Sequence, residues 1–394
     1  MAGVLDGVRV LDFGRYIAGP YCACLLGDLG AEVIRVERIG GGEDRFLLPL
    51  ASEEGGATFL PLNRNKKSIT LEPASQEGRK IVEKLVATVD IVVANLPPQA
   101  LKSLGLDYDT LRAVKPDIIL TSLNAFGSGG PWSNRVGLDG IAQVMSGLAN
   151  VSGAPGDPQK LYGPWADYAT ASLAAFGTLA ALLHKRQTGH GQHVESNLLM
   201  SAMVPASGLL AEQAVTGVNR ESTGNRSQTA APADLYRTKD GWIIVQVVGQ
   251  PMYKRWTKMI GEESLFTNER FKDDDTRAKN SEAINVVMNT WCSQRTTEEA
   301  LDELEKWNLP AGPLLKAQEV LDHPQVKALK AFQEVSYPGI PKPVPLLRTP
   351  VSLSLTPGTI RTAPPQIGSH TDVILSELGF STADISGLRA TGVV

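Results

Sequence analysis

Short apolar segments alternate with amphipathic ones along the first 126 residues, and this alternation restricts the fold more than any other feature. Segments typical of buried strands occupy residues 8–13, 32–37, 67–71, 90–96 and 117–126. Between them, segments such as 20–29 and 75–89 carry apolar residues at helical spacing. Strands that are joined through helices pair in parallel. The sequence therefore predicts an open, doubly wound, Rossmann-like α/β sheet.

The turns that follow these strands are the expected ligand site, because such sheets bind ligands beyond the carboxyl ends of their strands. The turns after Phe13, Glu37, Ala94 and Leu123 should therefore surround one site. The first turn, FGRYIAGP, contains two glycines but lacks the Gly-x-Gly-x-x-Gly pattern of dinucleotide-binding proteins. A nicotinamide-dependent dehydrogenase is accordingly disfavoured.

Composition excludes several classes of partner. The chain is 42% hydrophobic and 20% charged with a net charge of −4, which is typical of a globular protein and argues against nucleic acid as a partner. No apolar run approaches the roughly 18 residues of a membrane span, so no membrane partner is expected. Three cysteines cannot form a disulfide framework and favour a reducing, cytoplasmic compartment.

A polar segment at residues 217–231 lacks apolar periodicity and is the predicted linker between two domains. Beyond it, a hairpin is predicted at residues 235–248, with helices at 252–260, 283–291 and 297–307. The sequence predicts a large α/β domain at residues 1–220, completed by residues 330–394. A smaller α+β domain is expected at residues 221–329, with flanking linkers.

The amino-terminal half must work without histidine, because the first of the five histidines is His184. His190 and His193 are predicted in a solvated turn without ligand spacing, so no metal site is expected. The chain has neither a Gly-x-Ser-x-Gly elbow nor a P-loop. Asp167, at the start of a long Ala/Leu-rich segment, is interpreted on its own as a helix cap, ionised near its reference pKa of about 3.9.

Several ordered motifs resemble one family. They are RYIAGPYCACLLGDLGAEVIRVER, LNRNKKSITL, WADYATASLAAFGTLAALLHKRQTGHGQ and IGSHTDVILSELGF. Over essentially its whole length the chain resembles the class III CoA-transferases, the family of formyl-CoA transferase and carnitine CoA-transferase. The resemblance implies transfer of CoA from an acyl-CoA thioester to a carboxylic acid, without a tightly bound cofactor. It also implies an interlocked homodimer.

The resemblance further implies roles for individual residues. Asp167 matches the catalytic nucleophile, which forms an aspartyl anhydride and then an aspartyl-CoA thioester. Where relatives carry an arginine near a helix end, this chain has Ser103, with Lys102 beside it as a substitute phosphate contact. Asp139 is expected to help position the acyl carbonyl. The positions that match CoA-binding residues are Ile17, Ala18, Arg38, Leu71, Asn95, Leu96, Lys102, Ser103, Arg135, Val136, Gly137, Leu138 and Asp139.

Two alternatives stay open. An α-methylacyl-CoA racemase needs a histidine where this chain has Leu138, which favours transfer. A non-catalytic CoA- or nucleotide-binding protein would leave Asp167 as a cap only. Small dicarboxylates such as succinate or oxalate are the expected acids, whereas a single Gly249 in place of the lid glycines disfavours formyl-CoA. Candidate residues for recognising the acid or acyl group are Arg15, Arg64, Arg226 and Trp165.

Overall fold

The structure, a computed structural model, describes residues 3–50 and 54–394. The chain divides into two compact units. The larger unit comprises Met1–Gly147, Leu161–Thr216 and Ala328–Val394, and the smaller unit comprises Leu148–Lys160 and Gly217–Lys327. Residues 148–160, which the sequence analysis placed within the large domain, thus group with the smaller unit.

Eleven strands are found in the described part of the chain. They are β1 (Arg9–Asp12), β2 (Glu32–Glu37), β3 (Lys66–Thr70), β4 (Ile91–Ala94), β5 (Ile119–Asn124), β6 (His193–Asn197), β7 (Ala233–Arg237), β8 (Trp242–Gln246), β9 (Ala311–Pro313), β10 (Phe332–Val335) and β11 (Val344–Leu347).

Eighteen α-helices accompany them in the same residues. They are α1 (Ala18–Asp28), α2 (Phe59–Asn63), α3 (Gln76–Ala87), α4 (Pro98–Ser103), α5 (Tyr108–Val114), α6 (Asp139–Met145), α7 (Leu148–Val151), α8 (Trp165–Thr188), α9 (Leu198–Met203), α10 (Ser207–Thr216), α11 (Gly249–Met259), α12 (Asp274–Lys279), α13 (Ser281–Ser293), α14 (Thr297–Lys306), α15 (Ala317–Asp322), α16 (Pro324–Ala328), α17 (Thr371–Glu377) and α18 (Thr382–Ala390).

The larger unit is built on a six-stranded parallel sheet in the order β3-β2-β1-β4-β5-β6. In β1, Leu11 pairs with Ile34 of β2 on one side and with Val92 of β4 on the other. The chain winds outward from β1 in one direction and then from β4 in the other. The strand order therefore reverses between β1 and β4, where a doubly wound sheet opens a crevice. The predicted mixed α/β fold with a parallel sheet is confirmed.

Alternate residues of the strands supply two separate cores. Val10, Val33 and Ile91 face one layer, which contains α1 and α8. Leu11, Ile34 and Val92 face the other layer, which contains α3, α5 and the carboxyl-terminal helices α17 and α18. Strand β4 is apolar throughout, and β1, β2 and β5 each carry two or more buried apolar residues, which is why these strands stood out in the sequence.

Helix α8 fits the sheet because its inner face is made of small residues. Ala171, Ala174 and Ala181 are fully buried, and Thr178 is hydrogen-bonded to Thr121 of β5 with 2.7 Å between their Oγ1 atoms. A left-handed Gly189 ends the helix, with Lys185 and Arg186 in the last turn. By length and composition α8 could also cross a membrane, so the prediction that no segment qualifies is wrong. Here its alanine face is packed in the core of the larger unit.

Two sheet elements of the larger unit were not predicted. Strand β6 pairs in parallel with β5, although its sequence HVESN is polar and partly exposed. His193 therefore begins a strand rather than lying in a turn, and its Nε2 atom is 2.7 Å from the Ser122 hydroxyl. The second element is the antiparallel hairpin of β10 and β11 in the returning segment.

The smaller unit contains a three-stranded antiparallel sheet in the order β7-β8-β9. Its core includes Tyr236, Tyr253, Trp256 and Met288, contributed by β7, α11 and α13. The predicted hairpin and the three predicted helices are confirmed within a few residues. Strand β9, which contains the Ala-Gly-Pro of the segment LPAGPLL, completes this sheet.

Candidate active site

A cavity of about 270 Å³ opens at the carboxyl edge of the sheet in the larger unit. It lies beyond β1, β4 and β5, on both sides of the point where the strand order reverses. This is the place predicted from the alternation of strands and helices. The residues that line it are Arg15, Tyr16, Ala18, Asn95, Leu96, Pro97, Leu123, Asn124, Ala125, Ser133, Arg135, Val136, Gly137, Leu138, Asp167 and Leu198.

Asp167 is the only carboxylate among these lining residues. It is the third residue of α8, partly buried, on the first turn of the helix. Within the described residues, its carboxylate has neither a hydrogen-bond donor nor an ion-pair partner. The interpretation of Asp167 as the cap of α8 is therefore wrong, because its side chain is free to face the cavity.

The cap of α8 is instead provided by Asp139, the first residue of α6. Its Oδ1 atom accepts hydrogen bonds from the backbone N–H groups of Ala166 at 2.8 Å and Asp167 at 3.1 Å. Its Oδ2 atom accepts a hydrogen bond from the Gln143 amide at 2.5 Å. Two of the N–H groups that lack partners at a helix start are thus satisfied by a residue 27 positions earlier.

The environment of Asp167 changes its acid–base behaviour. Burial, followed by the negative charge of Asp139, raises the pKa of the Asp167 carboxyl to about 7. The expectation of an ordinary carboxylate with a pKa near 3.9 is therefore wrong. At neutral pH the group is ionised in about half of the molecules.

The turn between β1 and α1 is held in place by Asn95, which follows β4. The Asn95 side chain accepts a hydrogen bond from the Arg15 N–H at 2.6 Å and donates one to the Arg15 carbonyl at 2.7 Å. Tyr16 adopts a left-handed conformation with φ of 58°, and Ile17 precedes the first helical residue, Ala18. Asn95, predicted to line the CoA path, thus also fixes the backbone of the opposite wall.

A second, smaller cavity adjoins the first at Arg15 and Leu96, which line both. Its wall includes Arg38 and the buried Leu71, two of the predicted CoA positions. Glu43 forms ion pairs with Arg15 at 2.6 Å and with Arg38 at 3.1 Å, and all three side chains are about half exposed. Two cations therefore lie at the junction of the cavities, where an anionic ligand could replace the carboxylate of Glu43.

The segment between β5 and α6 forms an exposed wall of the main cavity. The Arg135 guanidinium lies over the Trp132 ring, 4.0 Å from its centroid. Val136 and Leu138 are 81% and 64% exposed. Gly137 is required by close approach, since a Cβ atom there would lie 2.5 Å from the Ala125 side chain. The predicted residues Arg135, Val136, Gly137 and Leu138 are thus brought together with Asp167.

Other predicted residues lie elsewhere. Lys102 and Ser103 are exposed at the end of α4 and line neither cavity, so the structure does not bring the proposed substitute lysine to the site. Arg64 is buried in an ion pair with Asp28 at 2.6 Å, which makes it unsuitable for recognising an acid. Arg226 lies in the smaller unit and donates to the Ser281 hydroxyl. Trp165 packs beside Leu198 at the start of α8.

A buried charge network supports the same turn from below. Lys66 is bound to Asp12 at 2.8 Å, and Asp12 also accepts the N–H of Gly14 at 2.7 Å. Arg35 donates to the Gly14 carbonyl at 3.1 Å and pairs with Asp44 at 2.7 Å. A further pair joins Glu37 to Arg45 at 2.7 Å. Burial lowers the pKa of Lys66, while hydrogen bonds and charges from arginine hold the pKa of Glu37 below its usual range despite burial.

The sequence model of "CoA-transferase family III" matches residues 5–371. The chain belongs to this family. Succinyl-CoA--D-citramalate CoA-transferase of Chloroflexus aurantiacus is 31% identical over 99% of this chain and 98% of its own. Succinyl-CoA:glutarate CoA-transferase of Homo sapiens is 32% identical over 99% of this chain and 90% of its own.

The fold of this CoA-transferase also matches that of a solved relative. The crystal structure of a CAIB/BAIF family protein from Brucella suis is 30% identical and superimposes with a TM-score of 0.84. The match covers 96% of this chain and 100% of that chain. The predicted family and the predicted enzyme class, a CoA-transferase, are both confirmed.

Sequence reasoning missed several residues of the main cavity. Tyr16, Asn124, Ala125, Ser133 and Leu198 line the cavity without having been singled out. Asn124 and Ala125 follow Leu123, so the predicted turn at the end of β5 did locate them. No sequence motif marks Gln143 as a residue of the site, because its contacts with Asp139 and with residues 161 and 163 form only in the folded chain.

Proposed function

We propose that this transferase moves CoA from an acyl-CoA thioester to a carboxylic acid through covalent intermediates on Asp167. The observation that carries this proposal is the carboxylate without a partner, on the wall of a largely apolar cavity at the carboxyl edge of the sheet. A carboxylate that is not strongly stabilised by solvent or by a cation is a better nucleophile than a carboxylate that is strongly stabilised. The absence of histidine from the lining residues fits chemistry in which no base is needed.

The reaction consists of four acyl transfers without net proton change. A carboxylate oxygen of Asp167 attacks the thioester carbon, and the carbon–sulfur bond breaks to give an aspartyl mixed anhydride and CoA thiolate. The thiolate attacks the Asp167 carbonyl carbon and releases the first acid, leaving an aspartyl-CoA thioester. The acceptor carboxylate then attacks that carbon and expels the thiolate. The thiolate finally attacks the acceptor acyl carbon, which releases the new acyl-CoA and the free carboxylate.

We further propose succinyl-CoA as the donor and a small dicarboxylic acid as the acceptor. Relatives that are about one-third identical are named for succinyl-CoA with D-citramalate, L-malate or glutarate. Each of these acceptors carries a second carboxylate, and Arg15 and Arg135 are the cations on the cavity wall that could bind it. A panel of acyl-CoA donors and acids, with mass spectrometry of the CoA products, would identify the preferred pair.

Oxygen-18 tests the covalent steps directly. In the scheme above, one oxygen of the acceptor carboxylate stays on Asp167 after each turnover. Cleavage after Lys160 and Lys185 gives a peptide, residues 161–185, in which Asp167 is the sole side-chain carboxylate. After a single turnover with an acceptor labelled at both carboxylate oxygens, this peptide should gain one oxygen-18, and repeated turnover should bring it to two.

The matched control is Asp167→Asn, which has nearly the same shape but cannot attack as a carboxylate. It should lose transfer activity, take up no label and still bind CoA. If the wild-type peptide stays unlabelled while CoA is transferred, the covalent scheme is refuted. If Asp167→Asn transfers CoA at the wild-type rate, the assignment of the nucleophile fails as well.

We also propose that the active form is a homodimer, interlocked as the family resemblance implies. An apolar groove in the larger unit supports association, with Tyr21 and Leu25 of α1 facing the outer side of α8. On α8, Phe176 is 72% exposed and Leu183 is 58% exposed. Large exposed apolar patches mark interaction surfaces. Light scattering should give twice the chain mass, and an active monomer would refute the proposal.

A further inference from the structure

Asp139 acts on Asp167 from behind the wall of the main cavity. It is only 8% exposed and is not among the residues that line the cavity in the described chain. Each of its carboxylate oxygens already accepts hydrogen bonds. It is therefore poorly placed to help position the acyl carbonyl. The family resemblance had implied that role.

Gln143 holds Asp139 in its orientation. The Gln143 amide donates to Asp139 at 2.5 Å and to the Gly163 carbonyl at 3.0 Å, while its oxygen accepts from the Leu161 N–H at 3.0 Å. Gln143 is 2% exposed. This single side chain therefore ties α6 to the loop that leads into α8.

We propose that Asp139, held by Gln143, is a positioning residue for the nucleophile, fixing the first turn of α8 and placing a negative charge beside Asp167. The proposal rests on the proposed function, because it matters to catalysis only if Asp167 attacks the thioester. By accepting two N–H groups, Asp139 neutralises the helix end that would otherwise stabilise the Asp167 carboxylate. The nucleophile thus keeps a high basicity on a rigid backbone.

Other charged and titratable groups face Asp167 from the neighbouring elements. Arg15 and Tyr16 lie on the turn after β1, and Arg135 lies on the segment before α6. Tyr168 follows on α8, and its pKa is raised by burial and then by Asp167.

The test is the pH profile of kcat/KM for Asp139→Asn, with succinyl-CoA and L-malate as substrates. Asparagine keeps an oxygen for the two N–H groups of α8 but removes the charge. We expect the midpoint of the profile to fall by roughly one pH unit, with the contribution of burial retained. Asp109→Asn, the same charge change on the exposed first turn of α5, should leave the midpoint unchanged.

Gln143→Met provides an independent measurement in case Asp139→Asn does not fold. It removes the donor to Asp139 at similar volume, so kcat should fall while KM for acyl-CoA changes little. The melting temperature should also fall, because the buried hydrogen bonds to residues 139, 161 and 163 are lost. Wild-type kcat in Gln143→Met overturns the proposal. So does a folded Asp139→Asn whose midpoint is that of the wild type, whether or not its activity is lost.

The oxygen-18 experiment separates this inference from the proposed function. An unlabelled wild-type peptide refutes the covalent role of Asp167, and the positioning role fails with it. A labelled wild-type peptide together with an unshifted midpoint in Asp139→Asn refutes only the positioning role.

Discussion

Activity should depend steeply on pH around neutrality, because the proposed nucleophile reacts only as a carboxylate. With a pKa of about 7, about nine-tenths of Asp167 is ionised at pH 8 and about one-tenth at pH 6. The rate constant for acyl transfer should therefore fall about tenfold between these values. A carboxylate with the reference pKa of about 3.9 would give a flat profile over the same range.

The assay is kcat/KM for the acyl-CoA donor, from initial rates of product acyl-CoA formation at pH 5.5 to 8.5 and constant ionic strength, because this quantity reports the pKa of the free enzyme. An acceptor that is ionised throughout this range prevents its own titration from contributing. Reactions without enzyme correct for thioester hydrolysis at high pH. A rate that stays constant down to pH 5.5 would refute the raised pKa of Asp167 and the reasoning from burial and Asp139.

Three further predictions concern stability and substrate binding. Because its pKa is raised on folding, Asp167 contributes stability below about pH 4 that is lost as the pH rises through about 7. In urea unfolding at pH 8, the free energy of unfolding of Asp167→Asn should therefore exceed that of the wild type by on the order of 2 to 4 kcal/mol. A variant that is no more stable than the wild type at this pH would contradict the predicted sign. Arg64→Met leaves Asp28 buried without its cation and should cost about 3 to 5 kcal/mol in urea unfolding, whereas a cost below about 1 kcal/mol would contradict the buried pair. Gly137→Ala should displace the wall of the main cavity and raise KM for acyl-CoA, whereas Gly129→Ala, which meets open space, should not; equal KM values in the two variants would contradict the close approach of Gly137 to Ala125.

The sheet was predictable because five of its six strands in the larger unit contribute buried apolar residues to the two cores. Residues such as Leu11, Ile34 and Val92 are buried without exception, and the helices between them have regular apolar spacing. Strand β6 was missed because it lies at the edge of the sheet, where the polar residues of HVESN remain partly exposed.

The site was predictable in place but not in detail. The strand order puts the turn after β1, Asn95 and the end of β5 at one edge, and the resemblance singled out Asp167. The hydrogen bonds that the start of α8 donates to Asp139 join residues 27 and 28 positions apart, and no local pattern encodes them. The raised pKa of Asp167 follows from burial and then from the charge of Asp139, so it was inaccessible from the sequence.

The buried charges beneath the turn after β1 have a consequence for how this enzyme can diverge. Replacing Asp12, Lys66 or Arg35 leaves a partner as an uncompensated charge in the interior. Substitutions in this network are acceptable only when both partners change together, so its sequence should diverge slowly. Arg135, Val136 and Leu138 are exposed and have no such obligations among the described residues. We expect new acid specificities to arise by substitutions in that wall, while the buried charge network beneath the turn after β1 stays unchanged.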